Sequence, residues 1–242
     1  MEHSPLAAPS RASYGGGVDV PPNGVRIGAD GVARCWWCNG DGLYETYHDR
    51  EWGRPVADDD LLFEKLCLEG FQAGLSWLTI LRKRENFRRA FEAFEIEAVA
   101  RFDARDVDRL LSDAGIVRHR GKIESAINNA RRCTELIEEA GSLAAYVWSF
   151  APTTSAERTP LDWTSLAGAG PSVEATRMSK DLKRRGWSFV GPTTVYAFME
   201  AMGLVNDHMT ACELRDEVER AREAFRPPTR AAGRVIDSRD SS

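Results

Sequence analysis

The sequence has 242 residues, of which 43% are hydrophobic and 29% charged, a balance typical of soluble globular proteins and unlike collagen or a disordered chain. Its 32 basic and 37 acidic residues give a net charge of −5, which argues against a histone-like nucleic-acid binder but allows a local basic face. The sequence contains neither a secretory signal nor an apolar run of the ~18 residues that span a membrane, so we expect a cytoplasmic protein.

Composition divides the chain into three parts. Residues 1–30 and 227–242 are rich in small, polar and proline residues, so we expect disordered tails there. Residues 31–226 carry helical periodicity and almost no alternating strand pattern, which predicts one all-α domain.

Capping residues and apolar spacing predict the helices in chain order. An aspartate at 58 to 60 begins a helix that ends at Gly70, Ser76 caps the next, and Asp106 begins a third that stops before Gly115. The later helices are predicted at 121–141, 172–186, 192–203 and about 207–225, with a loop at 152–171.

Two separated pairs of soft ligands are candidates for a metal site. Five cysteines are too few for a disulfide scaffold, which favours metal binding. His208 and Cys212 are four residues apart at the start of the last predicted helix, where side chains at i and i+4 share a face. Together with Cys35 and His48 they would complete a tetrahedral zinc site with no open position for water. The spacing leaves open whether the two pairs meet in the folded protein. In an isolated His-x3-Cys pair, the histidine is more often a buried, hydrogen-bonded residue of the core than a metal ligand.

Aromatic residues are concentrated before residue 78, and one carboxylate lies among them. Glu69 interrupts an apolar run, and a carboxylate beside aromatic rings is costly without a partner. A flat cation would suit both the ring faces and the carboxylate. The alternative is that Glu69 is a solvated residue at a helix end and that the aromatic rings are part of the hydrophobic core. The aromatic residues are Trp36, Trp37, Tyr44, Tyr47, Trp52 and Trp77.

Two basic runs suggest contact with a nucleic-acid backbone. Arg118, Arg120 and Lys122 surround the turn before the long predicted helix, and a second run at 180–185 precedes a Gly-rich turn. Backbone N–H groups at such turns and at helix N-termini, here at Gly191 and Thr193, bind phosphates. The order helix, turn, helix predicts a hairpin that grips the backbone without reading bases. A solvated charged face is the alternative.

Four strings carry a specific resemblance to a known family: Tyr44-x-x-Tyr47-His48-Asp49-x-Glu51-Trp52-Gly53, Leu68-Glu69-Gly70-x-Gln72-Ala73-Gly74-Leu75-Ser76-Trp77, Asp113-Ala114-Gly115-Ile116-x-Arg118-His119-Arg120-Gly121-Lys122-Ile123 and Gly203-Leu204-Val205-Asn206-Asp207-His208. Over about residues 34–212 the chain resembles the 3-methyladenine DNA glycosylase I family, a branch of the helix-hairpin-helix DNA repair superfamily.

The resemblance implies a monofunctional base-excision repair enzyme. Such an enzyme extrudes 3-methyladenine from alkylated double-stranded DNA, hydrolyses the N-glycosidic bond, and leaves an abasic site and the free base. We expect a monomer that does not associate with a membrane.

The resemblance also implies roles for particular residues. It assigns one structural zinc ion to Cys35, His48, His208 and Cys212, so a Cys35-x2-Cys38 pair is the less favoured alternative. It assigns base recognition and the catalytic role to Glu69, with stacking on Tyr47 and Trp77 and with Tyr44 close by. It places Gln72, Gly74 and Leu75 at the DNA, and it puts Asn206 where the superfamily usually has a catalytic aspartate. The rival interpretation is an inactive, zinc-containing binder of damaged DNA. A zinc hydrolase is disfavoured because four protein ligands leave no open position.

Overall fold

The computed structural model describes residues 20–38, 40–152 and 170–229, and these residues are mostly helical. Most of the predicted tails and of the predicted 152–171 loop lies outside them. No described helix is both long enough and apolar enough to cross a bilayer. The helices are α1 (Gly42–Arg50), α2 (Asp59–Gln72), α3 (Trp77–Ala90), α4 (Ile96–Ala100), α5 (Ala104–Ser112), α6 (Arg120–Ala140), α7 (Leu143–Trp148), α8 (Val173–Arg184), α9 (Pro192–Ala201) and α10 (Arg215–Ala224), with 3-10 turns at Trp36–Cys38 and Glu92–Phe94.

Helix α2 is the centre of the fold. Every residue from Leu62 to Phe71 is buried, as expected of a helix surrounded by protein on all sides. Helices α3, α6, α7 and α9 contact it. The ring of Phe71 lies 4.6 Å from that of Phe87 of α3, in an aromatic core that continues through Phe91. The charged residues between Leu62 and Phe71 are therefore held inside the domain.

Three helix starts follow the predicted caps. The side chains of Asp58, Ser76 and Ser172 accept hydrogen bonds from the first turns of α2, α3 and α8, which confirms these three predictions. The start predicted for α5 is wrong. Asp103 caps that helix, and Asp106 is the third residue of the helix. The two form a reciprocal capping box, in which the Asp106 carboxylate accepts from the Asp103 backbone N–H and the Asp103 carboxylate accepts from the Asp106 backbone N–H.

A two-stranded antiparallel sheet precedes the helices. Strands β1 (Val25–Ile27) and β2 (Ala33–Cys35) pair with Val25 opposite Cys35, so regular structure begins before residue 31. The far end of the domain docks on β2, because the Glu213 backbone N–H donates to the Ala33 carbonyl over 3.0 Å. This contact brings the two ends of the domain together.

The last helix is shorter than predicted. It begins at Arg215 rather than near Asp207, and residues 206–214 form turns and irregular chain. The Asn206 side chain explains the difference, because it accepts from the His208 backbone N–H and donates to the Arg215 carbonyl. These bonds give the backbone an alternative to helical pairing.

Candidate functional site

Four buried side chains converge where the two ends of the domain meet. Cys35 is the last residue of β2, His48 lies on α1, and His208 and Cys212 belong to the segment before α10; one ligand atom from each lies within 4.8 Å of the others. The Cys212 Sγ atom is 3.5 Å from His208 Nδ1 and 3.6 Å from His48 Nε2, and Cys35 Sγ is 3.8 Å from His208 Nδ1. A tetrahedral zinc ion with ordinary Zn–S and Zn–N bonds requires edges of about 3.3–3.8 Å. The donor set is therefore one that zinc prefers, and three of its six edges already have the lengths that a tetrahedral ion requires.

Outer hydrogen bonds orient both imidazoles. His48 Nδ1 lies 2.8 Å from the Asp49 carboxylate, which the Arg34 guanidinium holds with two bonds. His208 Nε2 lies 3.3 Å from the Trp52 carbonyl. In each ring one nitrogen is thus used by the protein and the other faces the cluster, the arrangement typical of metal-ligating histidines.

The thiols of the cluster are distinguished from Cys38. Hydrogen bonds from Cys35, His208 and His48 lower the pKa of Cys212, whereas burial and the bond to Cys212 raise the pKa of Cys35, so Cys212 is the thiol of the pair that more readily forms the thiolate that binds metals. Cys38 donates instead to the Cys35 carbonyl and lies outside the cluster. The prediction that placed His208 and Cys212 on a helical turn is wrong, since the segment is not helical, but the two side chains do meet.

A second buried group joins a carboxylate, an ammonium and two aromatic rings; we call Tyr47, Lys65, Glu69 and Trp77 the aromatic site. Glu69 is 6% exposed and Lys65 5% exposed, and they lie one turn apart on α2 with 2.8 Å between Glu69 Oε1 and Lys65 Nζ. The same ammonium donates to the Tyr47 hydroxyl over 2.8 Å and lies 3.2 Å from the centroid of the Trp77 ring. Glu69 is therefore paired with a cation inside the domain, and the alternative of a solvated helix-end residue is excluded by its burial.

The two rings of the aromatic site are close and inclined. Their centroids are 5.5 Å apart, and the planes make an angle of 45°. Tyr44 is buried behind them, with its ring centroid 6.4 Å from that of Tyr47. Burial raises the pKa of Tyr47 well above its usual value, so its hydroxyl is neutral. The indole N–H of Trp77 is buried and meets no acceptor among the residues that the structure describes.

Sequence reasoning did not single out Lys65. Burial lowers its pKa, an effect that the Glu69 carboxylate opposes. The signal was present as a lysine four residues before Glu69 within an apolar run. A lysine at one helical position is ordinarily a solvated residue, and only the enclosure of α2 on all sides distinguishes this one.

The residues expected at DNA lie on adjoining segments. Gln72 ends α2, and with the next three residues it forms what we call the exposed turn (residues 72–75). Within it Gly74 has a φ of +81°, a conformation that favours glycine, and Leu75 is 37% exposed. Lys122 does not face solvent, since it is buried and its ammonium donates to the carbonyls of Phe71, over 2.9 Å, and Ala73, over 2.5 Å. Lys122 therefore holds the exposed turn in place.

The segment between α8 and α9, which we call the hairpin (residues 185–191), packs beside this turn. Asn129 of α6 donates to the Ser188 carbonyl over 3.0 Å and accepts from its backbone N–H over 3.0 Å. A Cβ built on Gly70 would lie 3.3 Å from that of Phe189, so the end of α2 and the hairpin are in contact. Gly191 precedes α9 without a side-chain cap, and Thr193 in the first turn is exposed. The N-terminus of α9 thus lies at the same face.

The two basic runs differ in how far their charges are paired. Arg118 is exposed, and Arg120 makes only long contacts of 3.4 Å to Asp108 and Glu124. In the second run the guanidinium of Arg185 is bound by Asp181 and Glu139. Lys180 and Lys183 of the second run are exposed, so both runs present positive charge at the surface.

Comparison with known proteins gives consistent matches over the helical domain. A family model described as methyladenine glycosylase matches residues 37–216. "DNA-3-methyladenine glycosylase 1" of Escherichia coli (strain K12) is 47% identical over 182 residues, which cover 75% of this chain and 96% of the relative. A crystal structure of 3-methyladenine DNA glycosylase I superposes with a TM-score of 0.70 at 45% identity, covering 74% of this chain and 98% of the other. A Staphylococcus aureus structure that addresses 3-methyladenine recognition gives a TM-score of 0.69 at 39% identity, with 73% and 93% covered.

Proposed function

The chain belongs to the methyladenine glycosylase family, and from that premise we propose that its aromatic site receives the base when it releases 3-methyladenine from DNA. The reaction is hydrolysis of an N-glycosidic bond and leaves an abasic site. One observation carries the assignment of the site: an ammonium already lies against the Glu69 carboxylate and over the Trp77 ring. These groups therefore hold a cation in the interior of the protein, and a purine methylated at N3 is a cation.

The chemistry of the substrate fits a site that binds rather than attacks. Methylation places positive charge on the purine, so the bond to the sugar is weakened and the base departs as a neutral molecule. Glu69 would accept hydrogen bonds from the adenine edge, while Tyr47 and Trp77 stack on the charged ring. Ordinary adenine lacks the cation–π attraction and keeps a strong bond to its sugar.

Asn206 supports this division of labour. Its amide donates to the Arg215 carbonyl and to Glu219, and its side-chain oxygen accepts from the His208 backbone. An asparagine engaged in this way orders the segment that carries His208 and, being neutral, would assist attack at the sugar less than an aspartate. Discrimination would thus rest on base binding and on the leaving group.

For DNA binding we propose that the exposed turn and the hairpin form one face. Leu75 and Gln72 would occupy the space that the extruded nucleotide leaves, while the N-terminus of α9 at Gly191 and Thr193 binds a phosphate. Arg118 and Arg120 add charge beside it, and Lys122 acts indirectly by holding the exposed turn. The order α8, hairpin, α9 is the helix-hairpin-helix arrangement expected of a backbone grip.

We further propose that Cys35, His48, His208 and Cys212 bind one zinc ion. With four protein ligands the ion supplies no catalytic position and acts as a cross-link between the ends of the domain. Base binding and DNA binding are the work of the protein's own side chains and backbone.

The test measures free 3-methyladenine released from methylated double-stranded DNA by the wild type, Glu69→Gln and Glu64→Gln. Glu64 is a matched control, because it is another buried carboxylate of α2 but is paired with Arg88. We expect release by the wild type and by Glu64→Gln, and a loss of about tenfold or more in Glu69→Gln, since a hydrogen bond to a charged group is removed. Binding to abasic DNA without any release by the wild type would instead favour the rival of an inactive binder.

A further inference from the structure

The aromatic site is filled by a side chain of the protein itself. Lys65 Nζ has a carboxylate at 2.8 Å, a hydroxyl at 2.8 Å and an indole face at 3.2 Å. These three partners are the groups proposed to bind the methylated base. The ammonium therefore uses the carboxylate and the ring face that the base would need.

Lys65 and a stacked purine exclude one another on steric grounds. A ring stacked on Trp77 lies at van der Waals separation, about 3.5 Å from the indole plane, which is the space that the ammonium occupies. A base between Tyr47 and Trp77 needs about twice that separation, roughly 7 Å, whereas the ring centroids are 5.5 Å apart. Entry of the base therefore requires both the departure of Lys65 and a small opening of the rings.

Electrostatics also opposes joint occupancy. Glu69 and Lys65 form a pair, and a cationic base added to that pair would place two like charges together in a site of low dielectric. Two further acidic side chains lie near the pair. Glu51 pairs with Arg84, and burial followed by the Asp207 charge raises the pKa of Glu200. Exchange of one cation for another keeps Glu69 paired until hydrolysis makes the base neutral.

We propose that Lys65 is a resident counter-ion of the base site, displaced when the methylated base enters and returned when the base leaves. The inference rests on the proposed function of the aromatic site. In the empty protein Lys65 keeps the buried Glu69 paired, which avoids the cost of an isolated charge. After hydrolysis the base is neutral and loses its advantage over the ammonium, so the return of Lys65 favours release of the product.

The direct test is an NMR titration of the protein labelled with ¹³C at lysine Cε. The sequence has five lysines, so the spectrum is simple, and Lys65→Met identifies the Lys65 signal by its absence. The Trp77 ring current should shift the Lys65 Hε protons upfield in the free protein. On saturation with 3-methyladenine these protons should move to the positions of the exposed lysines Lys180 and Lys183. A signal that stays upfield at saturation would overturn the proposal.

A second, independent readout is affinity for the free base. Lys65→Met removes the competitor but keeps an unbranched side chain of similar length, so it should bind 3-methyladenine about fivefold more tightly or better in calorimetry. Lys83→Met is the matched control and should leave the affinity unchanged, because Lys83 binds the carbonyls of Ala114 and Gly115. Unchanged or weaker binding by a folded Lys65→Met would refute displacement. If the wild type still releases 3-methyladenine from DNA in that case, the proposed function stands and only the role of Lys65 falls.

Discussion

Replacing Cys212 by serine should remove the zinc and cost the domain much of its stability. The four ligands come from residues far apart in the chain, and the link between Cys35 and Cys212 closes a loop of roughly 180 residues. In the chain-entropy treatment, a cross-link across such a loop stabilises the folded state by about 5 kcal/mol. Unfolding free energies of domains are about 5–15 kcal/mol, so the loss is a large share of the total.

The assay combines metal content with thermal unfolding. For a domain of this size the loss corresponds to a melting temperature about 10–20 °C lower, with about one zinc per chain in the wild type and none in Cys212→Ser. Cys38→Ser is the matched control, because Cys38 is equally buried but donates to the Cys35 carbonyl. Chelation of the wild type should reproduce the effect of the substitution. The reasoning is refuted if chelated protein melts within about 2 °C of the metal-loaded protein, or if Cys38→Ser loses the metal and Cys212→Ser keeps it.

Three further predictions concern single substitutions. In Gly203→Ala the new Cβ would meet backbone atoms at 2.5 Å, so the free energy of unfolding measured in urea should fall by about 3 kcal/mol or more. In the control Gly74→Ala the new Cβ has open space around it, so this free energy should fall only by the ~1–2 kcal/mol of left-handed strain. Equal losses in the two variants would contradict this prediction. Burial by itself raises the pKa of the Asp181 carboxyl, but its hydrogen bonds, above all the one from Arg185, outweigh burial and hold this pKa below its usual value. The stabilisation that the charged carboxylate provides is therefore complete above the unfolded pKa of about 3.9 and is lost as the pH falls through the lower folded value. Asp181→Asn should thus destabilise clearly at pH 7 and progressively less below pH 4, and a constant difference would exclude the linkage. Lys122→Met should weaken binding to abasic DNA severalfold by releasing the exposed turn while leaving affinity for free 3-methyladenine unchanged, and a parallel loss of both would indicate general damage.

The metal cluster was predictable to the residue, whereas its local structure was not. Residue type and the four-residue spacing of His208 and Cys212 made Cys35, His48, His208 and Cys212 candidates, because thiolates and imidazoles are the ligands that zinc prefers, and the family resemblance implied the same four residues. The helical turn expected for His208 and Cys212 is absent, since Asn206 and the docking on β2 determine the backbone there. Tertiary hydrogen bonds of this kind leave no periodic signal in the sequence.

The aromatic site shows the complementary limit. Glu69 was recognisable because a carboxylate interrupts an apolar run among aromatic residues. Its partner Lys65 was not, because a lysine in a helix is expected to reach solvent, and only the packing of other helices around α2 prevents this. The sheet was missed for a simpler reason, since strands of three residues such as Val25–Ile27 are too short to show alternation.

The most direct test of the central claim is a crystal structure of this protein with 3-methyladenine bound. The account predicts the purine stacked on Trp77, a Glu69 carboxylate oxygen within about 3 Å of a nitrogen on the adenine edge, and Lys65 Nζ moved away from the indole face. A base bound at any other place, or a purine that makes no contact with Glu69, would contradict it.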